Sequence, residues 1–187
     1  MLIAISFRLE KDLSYSHRFP PRRACNRNIS SCKGVLPYRC LQMSKVVKEG
    51  PWGANVGKPF DTGIVDCAIN VKIYHENVVR GFELTFQDGK TPPVLIGRKM
   101  PVFVEITLDE DENFTSISGY FKSETDVYIS QLTLTTDMDN SISAGKKTGK
   151  AFCLTIEKGD HIVGFFGLHQ PNLAVDAIGV HCSLADS

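Results

Sequence analysis

Apolar and polar residues alternate along most of this chain in short runs. From Val71 onward the pattern appears as Val71-Lys72-Ile73-Tyr74, Phe82-Glu83-Leu84-Thr85-Phe86, Val104-Glu105-Ile106-Thr107-Leu108, Ile129 to Thr135 and Phe152-Cys153-Leu154-Thr155-Ile156. A period of two turns one face of each run toward a core and the other toward water, which is a strand pattern rather than a helical one. Asp88-Gly89 and Lys158-Gly159-Asp160 supply turn chemistry between runs. No segment carries a convincing helical period, so the chain is predicted to be all-β.

An apolar residue, a variable residue, Gly and an aromatic recur as Val79-Arg80-Gly81-Phe82, Ile117-Ser118-Gly119-Tyr120 and Ile162-Val163-Gly164-Phe165. The glycines are 38 and 45 residues apart, a spacing that marks a repeated supersecondary unit. A glycine inside a strand lets it kink at a sheet corner. Three such units suggest pseudo-threefold symmetry.

The candidate chemistry lies near the C-terminus. Ile162-Val163-Gly164-Phe165-Phe166-Gly167 and Leu173-Ala174-Val175-Asp176-Ala177-Ile178-Gly179-Val180 read as two apolar strands joined by a polar loop, Leu168 to Asn172. One carboxylate, Asp176, stands where the loop meets the second strand. Backbone N–H groups that donate, beside a carboxylate that accepts, suit a neutral ligand rich in hydroxyls.

This segment resembles the carbohydrate loop of the jacalin-related lectins, whose motif is Gly-x-x-x-Asp followed by an apolar strand. Gly50-Pro51-Trp52-Gly53-Ala54-Asn55-Val56-Gly57-Lys58-Pro59-Phe60-Asp61-Thr62-Gly63 is similar to that domain's glycine-rich opening. The resemblance runs from about Lys48 to about Leu184. It implies a β-prism of three four-stranded antiparallel sheets with pseudo-threefold symmetry, the first sheet completed by strands from both ends of the domain. Such closure would bring Gly57 beside Asp176.

By motif position the resemblance assigns the sugar to Gly57, Leu173, Ala174 and Asp176, with Asn172 at the motif's first position, where the family has Gly. Asn visits positive φ more readily than other non-glycine residues, so the loop can keep its shape while a side chain is added at the rim. The chain through Gly57-Lys58-Pro59-Phe60 resembles the uncleaved, mannose/glucose-binding branch. That implies binding through sugar O3, O4 and O6, with no metal or cofactor, in a homodimer of the plant type with a stress or defence role. Arg80 stands where a second sugar loop would carry Asp, and a cation accepts no hydroxyl proton; a solvated or ion-paired role is expected for it.

Charge narrows the partners. Residues 1–42 hold eight Lys/Arg and two Asp/Glu, net +6, leaving thirteen basic against nineteen acidic residues, net −6, in the remainder. An acidic domain is a poor phosphate binder, so no nucleic-acid partner is expected. No apolar run approaches the roughly 18 residues of a membrane helix, and Met1 to Phe7 lacks the basic start of a secretory signal. The six Cys divide into Cys25, Cys32 and Cys40 in the leader and Cys67, Cys153 and Cys182 beyond it. An odd domain count without paired spacing suggests a reducing, cytoplasmic location.

The domain boundary is placed at 42/43. Residues 1–42, rich in Arg, Ser, Cys and Pro, read as a disordered extension. An organelle transit peptide, or a zinc site using Cys25, Cys32, Cys40 and His17, stands as an alternative. The residues do not assemble an enzyme: a glycosidase normally needs two carboxylates about 5–10 Å apart, and Asp176 is alone. Asp109-Glu110-Asp111-Glu112 reads as a solvated turn, His169 as a plain loop residue, and Trp52 as packing rather than a sugar platform. The remaining alternative is a degenerate β-prism that binds proteins and has lost its sugar.

Overall fold

The computed structural model describes residues 45–65, 68–86, 90–109, 111–122 and 128–184. The basic extension and its boundary, Cys25, Cys32, Cys40, Cys67 and the Asp88-Gly89 turn lie outside the described residues. The alternating runs form strands in each case. The twelve are β1 (Lys45–Gly53), β2 (Lys58–Asp61), β3 (Ala68–His75), β4 (Val79–Phe86), β5 (Val94–Gly97), β6 (Phe103–Thr107), β7 (Phe114–Lys122), β8 (Tyr128–Thr136), β9 (Ser141–Gly145), β10 (Lys150–Thr155), β11 (His161–Gln170) and β12 (Ala174–Leu184). Among the described residues there is no helix, and so none long and apolar enough to cross a membrane.

These strands make three four-stranded antiparallel sheets, in the orders β1-β12-β11-β2, β5-β4-β3-β6 and β10-β7-β8-β9. Each is a Greek key: a central hairpin (β11-β12, β3-β4 or β7-β8), a third strand beside the second, and a fourth beside the first. The first sheet takes its hairpin from the end of the domain and its edges from the start. The pseudo-threefold arrangement is therefore carried by topology, with the first and last described strands falling inside one of the three repeats.

The glycine repeat is less regular than its spacing suggests. Gly119 and Gly164 lie on the first strand of their hairpins, Gly81 on the second. What the three share is close backbone approach. A Cβ would collide with the carbonyl oxygen of Ile96 at Gly81, of Gln131 at Gly119 and of Gly63 at Gly164. A register shift interrupts the strand pairing beside Gly81 and Gly164 and one residue beyond Gly119, and bulges of this kind bend strands without a kinked glycine φ.

The inner faces of all three sheets meet in one core. Val71, Ile73, Phe82 and Leu84 from the second sheet, Ile117, Ile129, Leu132 and Leu134 from the third, and Val175, Ile178 and Val180 from the first are all essentially inaccessible. Burying a side chain of this size contributes about 1.5–3 kcal/mol. Edge-to-face rings join the sheets, with Phe82 packed between Phe60 and Phe165 at centroid separations of 5.7 and 5.5 Å. Trp52 stacks on Phe152 at 5.2 Å and packs against the core, the packing role expected of it. Strand β12 is buried from Ala174 to Ser183, flanked by β11 along this length and by β1 from Ala177 onward.

One expectation is corrected here. Glu112 is buried rather than solvated. Its Oε1 accepts Thr136 Oγ1 at 2.5 Å and Asn140 Nδ2 at 2.8 Å, and its Oε2 accepts the Asp109 N–H at 3.1 Å. The carboxylate thus ties the β8–β9 turn to the loop before β7, which the run of acidic residues does not reveal. Cys182 is buried as a small apolar side chain, its thiol pushed up to about 11 by burial with help from Glu49 and Asp160, whereas Cys153 is exposed.

Candidate functional site at the β11–β12 turn

The site begins with a tighter turn than the sequence suggests. Strand β11 continues to Gln170, so Leu168 and His169 belong to the sheet and only Pro171, Asn172 and Leu173 form the connection. The Leu173 N–H donates to the Gln170 carbonyl at 3.0 Å, and Asn172 has φ +62°. Proline at the second turn position with positive φ at the third is the pattern of a type II turn. Asn172 therefore does what a glycine would do there. The Pro-Asn pair was the available signal for this turn.

One strand pairing places the carboxylate. Leu168 pairs with Ala177 and His169 with Val175, leaving Asp176 as the extra residue of a bulge. Bulges re-aim side chains next to functional sites. The Asp176 carbonyl accepts the Ala54 N–H at 3.1 Å, which fixes the segment leading from β1 to Gly57. Gly57, at φ +95°, packs so tightly that a Cβ would collide with Asp176 Oδ2 and lie 2.9 Å from the His169 carbonyl oxygen. The sheet closure that the resemblance implies thus brings Gly57 and Asp176 together.

Around this pair the floor is buried and the rim is open. Asp176 is wholly buried and Ala174 nearly so, while Asn172, Leu173, Val56 and Gly57 are exposed. Asp176 Oδ1 accepts Gln170 Nε2 at 3.0 Å, but Oδ2 is buried with no hydrogen-bond partner. Burial pushes the carboxyl above its usual range, and the Gln170 bond offsets part of that rise. An orphaned carboxylate oxygen costs about 1–3 kcal/mol or more, and a donor arriving from outside would relieve it. The Leu173 amide already serves the turn, so it reaches a ligand only as a shared donor.

His169 acts as a strut from this site to the second sheet. Its Nδ1 accepts the Gly97 N–H at 3.2 Å, which places the ring proton on Nε2,. Burial, then the neighbouring Lys58 ammonium, holds the imidazole below its usual range. Neither this strut nor the Gln170 bond follows from the sequence, because both depend on the bulge and on sheet packing. Arg80 pairs with Glu76 at 3.0 Å, the ion-paired surface role expected of it. Among the described residues no three His, Cys, Asp or Glu are grouped to hold a metal ion. A shallow depression of about 540 Å³ lies over the third sheet, against Tyr120, Gln131 and Ser143, and none of its lining residues belongs to the Asp176 site.

Comparison with known proteins decides the family. The Jacalin-like lectin domain matches residues 49–181. The chain belongs to the jacalin-like lectin family. Its fold is likewise that of lectins, which are carbohydrate-binding and non-enzymatic. Jacalin-related lectin 5 of Arabidopsis thaliana is 30% identical over 59% of this chain, yet the match spans only 15% of that relative's length. Among solved structures, Malaysian banana lectin is 29% identical with a TM-score of 0.67, covering 75% of this chain and 100% of the banana chain. A mannose-binding lectin from Champedak is 27% identical with a TM-score of 0.64, covering 75% of this chain and 99% of its own. The described lectin domain has the three sheets of these β-prisms.

Proposed function

We propose that this lectin domain binds mannose/glucose-type glycans at a single, metal-independent site made by Gly57, Asn172, Leu173, Ala174 and Asp176. The observation that carries the reading is Asp176 Oδ2, a buried acceptor with no donor, set against a glycine at the open end of the first sheet. A sugar hydroxyl supplies the missing donor, and charge-assisted bonds of this kind are about twice as strong as neutral ones. The mannose-binding neighbour supports the choice of sugar. Each site would hold a monosaccharide at around millimolar Kd, or about −4 kcal/mol. Useful capture of glycoproteins then calls for more than one site. We place the domain in a homodimer with its sugar loops pointing apart, since linking sites raises avidity by about 10²–10⁴. A reducing, cytoplasmic location accords with the free thiols Cys153 and Cys182.

One observation favours a second reading, a β-prism that binds proteins without sugar: Asp176 is fully buried and one of its oxygens is already occupied. An immobilised-mannose column separates the two. Retention with elution by free mannose, unchanged in chelator, is expected of the sugar site. Flow-through, or retention on galactosides alone, would overturn it.

A further inference from the structure

The Asp176 carboxylate has two oxygens, and the free protein uses them unequally. Oδ2 faces Gly57 without a donor, whereas Oδ1 accepts the side-chain amide of Gln170 at 3.0 Å. Gln170 is the last residue of β11 and the first of the type II turn, and it is half-buried at the margin of the site. With that amide in place Asp176 has no solvent exposure.

Accordingly we propose that Gln170 sets the affinity and selectivity of the sugar site by occupying Asp176 Oδ1 as an internal competitor, which a ligand with two adjacent hydroxyl donors must displace. The proposal rests on the sugar-binding reading given above. Its physical content is an exchange. A diol that reaches both carboxylate oxygens gains a new bond at Oδ2, but at Oδ1 it only replaces one N–H···O bond by an O–H···O bond. The freed amide returns to water from a half-buried position. The second hydroxyl of the diol is therefore worth less here than at a carboxylate with both oxygens vacant. A ligand with a single donor uses Oδ2 and leaves Gln170 undisturbed, so the intact site discriminates weakly between a diol and its monodeoxy analogue.

The turn does not need the Gln170 side chain, because the bond that closes it uses the backbone carbonyl. The chain can thus be varied at this position without losing the loop. Gln170→Ala removes both the competing amide and its bulk. Gln170→Leu removes the amide and keeps a side chain of similar size.

The experiment measures calorimetric binding of methyl α-mannoside and its monodeoxy analogues to the full chain and both variants. For Gln170→Ala, methyl α-mannoside should bind about three- to tenfold more tightly, as expected when an opposing hydrogen bond is removed. The ratio of parent to monodeoxy affinity should widen by a similar factor. For Gln170→Leu the ratio should widen in the same way even if bulk restrains the absolute affinity. This readout separates competition from a purely structural role, which would move all ligands together. Equal or weaker binding by Gln170→Ala with an unchanged ratio, while the unaltered chain binds mannoside, would overturn the role of Gln170 alone. Failure of all three proteins to bind would overturn the sugar-binding reading and this inference with it.

Discussion

Gly57 and Asp176, 119 positions apart in the chain, lie so close that a methyl group on Gly57 would overlap Asp176 Oδ2. The contact exists because β2 pairs with β11 while β11 pairs with β12, so the two ends of the domain share one sheet. Gly57 also has φ +95°, which a residue with a Cβ adopts only with strain,. Gly57→Ala should therefore lose about 1–3 kcal/mol of stability and weaken mannoside binding at least about tenfold. That corresponds to the loss of one charge-assisted hydrogen bond. Thermal melting and calorimetry on the same preparation check both outcomes.

Asp176 makes stability depend on pH in an unusual direction for a carboxylate. Its folded pKa is raised above the ordinary 3.8, chiefly by burial and despite the Gln170 bond. Between the unfolded and folded values the native state binds more protons than the unfolded one, so this group lowers stability as pH rises through that window. Asp176→Asn should melt higher than the unaltered chain at slightly alkaline pH, and the advantage should disappear in acid, where both side chains are neutral. An Asn variant that melts lower at every pH would show that the carboxylate stabilises the fold.

Glu112 acts in the opposite sense. Burial alone would raise its pKa, but the bonds from Thr136, Asn140 and the Asp109 N–H outweigh that and leave it lowered. Stability from a depressed carboxyl is present above the unfolded pKa and is lost as pH falls through the folded one. Glu112→Gln should cost about 1.5–3 kcal/mol at neutral pH, the range for hydrogen bonds to a charged group. The deficit should shrink in acid, and melting curves across pH test it.

The all-β class, the central strands β3, β4 and β8 and the edge strands β6 and β10 are legible from alternation. The other edge strands are not. β2 and β5 have four residues each, β1 is exposed over most of its length, and β9 is the small-residue segment Ser141-Ile142-Ser143-Ala144-Gly145. Such strands are defined by their neighbours rather than by their own pattern. At the site, the meeting of Gly57 and Asp176 could be anticipated from the resemblance and the sheet closure it implies. The Gln170 and His169 contacts could not, because a bulge shifts side-chain directions without leaving a mark in the alternation.

A chain beginning at Met43 should fold and retain mannoside affinity, because the residues assigned to the site all follow that position. Light scattering at micromolar concentration should give twice the monomer mass for this shortened chain. A strict monomer would leave one weak site per particle and contradict the proposed cross-linking of glycans.

The central claim is that Asp176 accepts the sugar. Asp176→Asn keeps the shape of the side chain while replacing one acceptor oxygen by a donor, and loss of a charge-assisted bond costs about 1.5–3 kcal/mol. Calorimetric titration of methyl α-mannoside into the unaltered chain and into Asp176→Asn tests this most directly. The account predicts saturable binding near millimolar for the first and a loss of about ten- to a hundredfold for the second, with the fold of both intact by circular dichroism. Equal mannoside affinity in the two proteins would contradict it and place the sugar elsewhere on the prism.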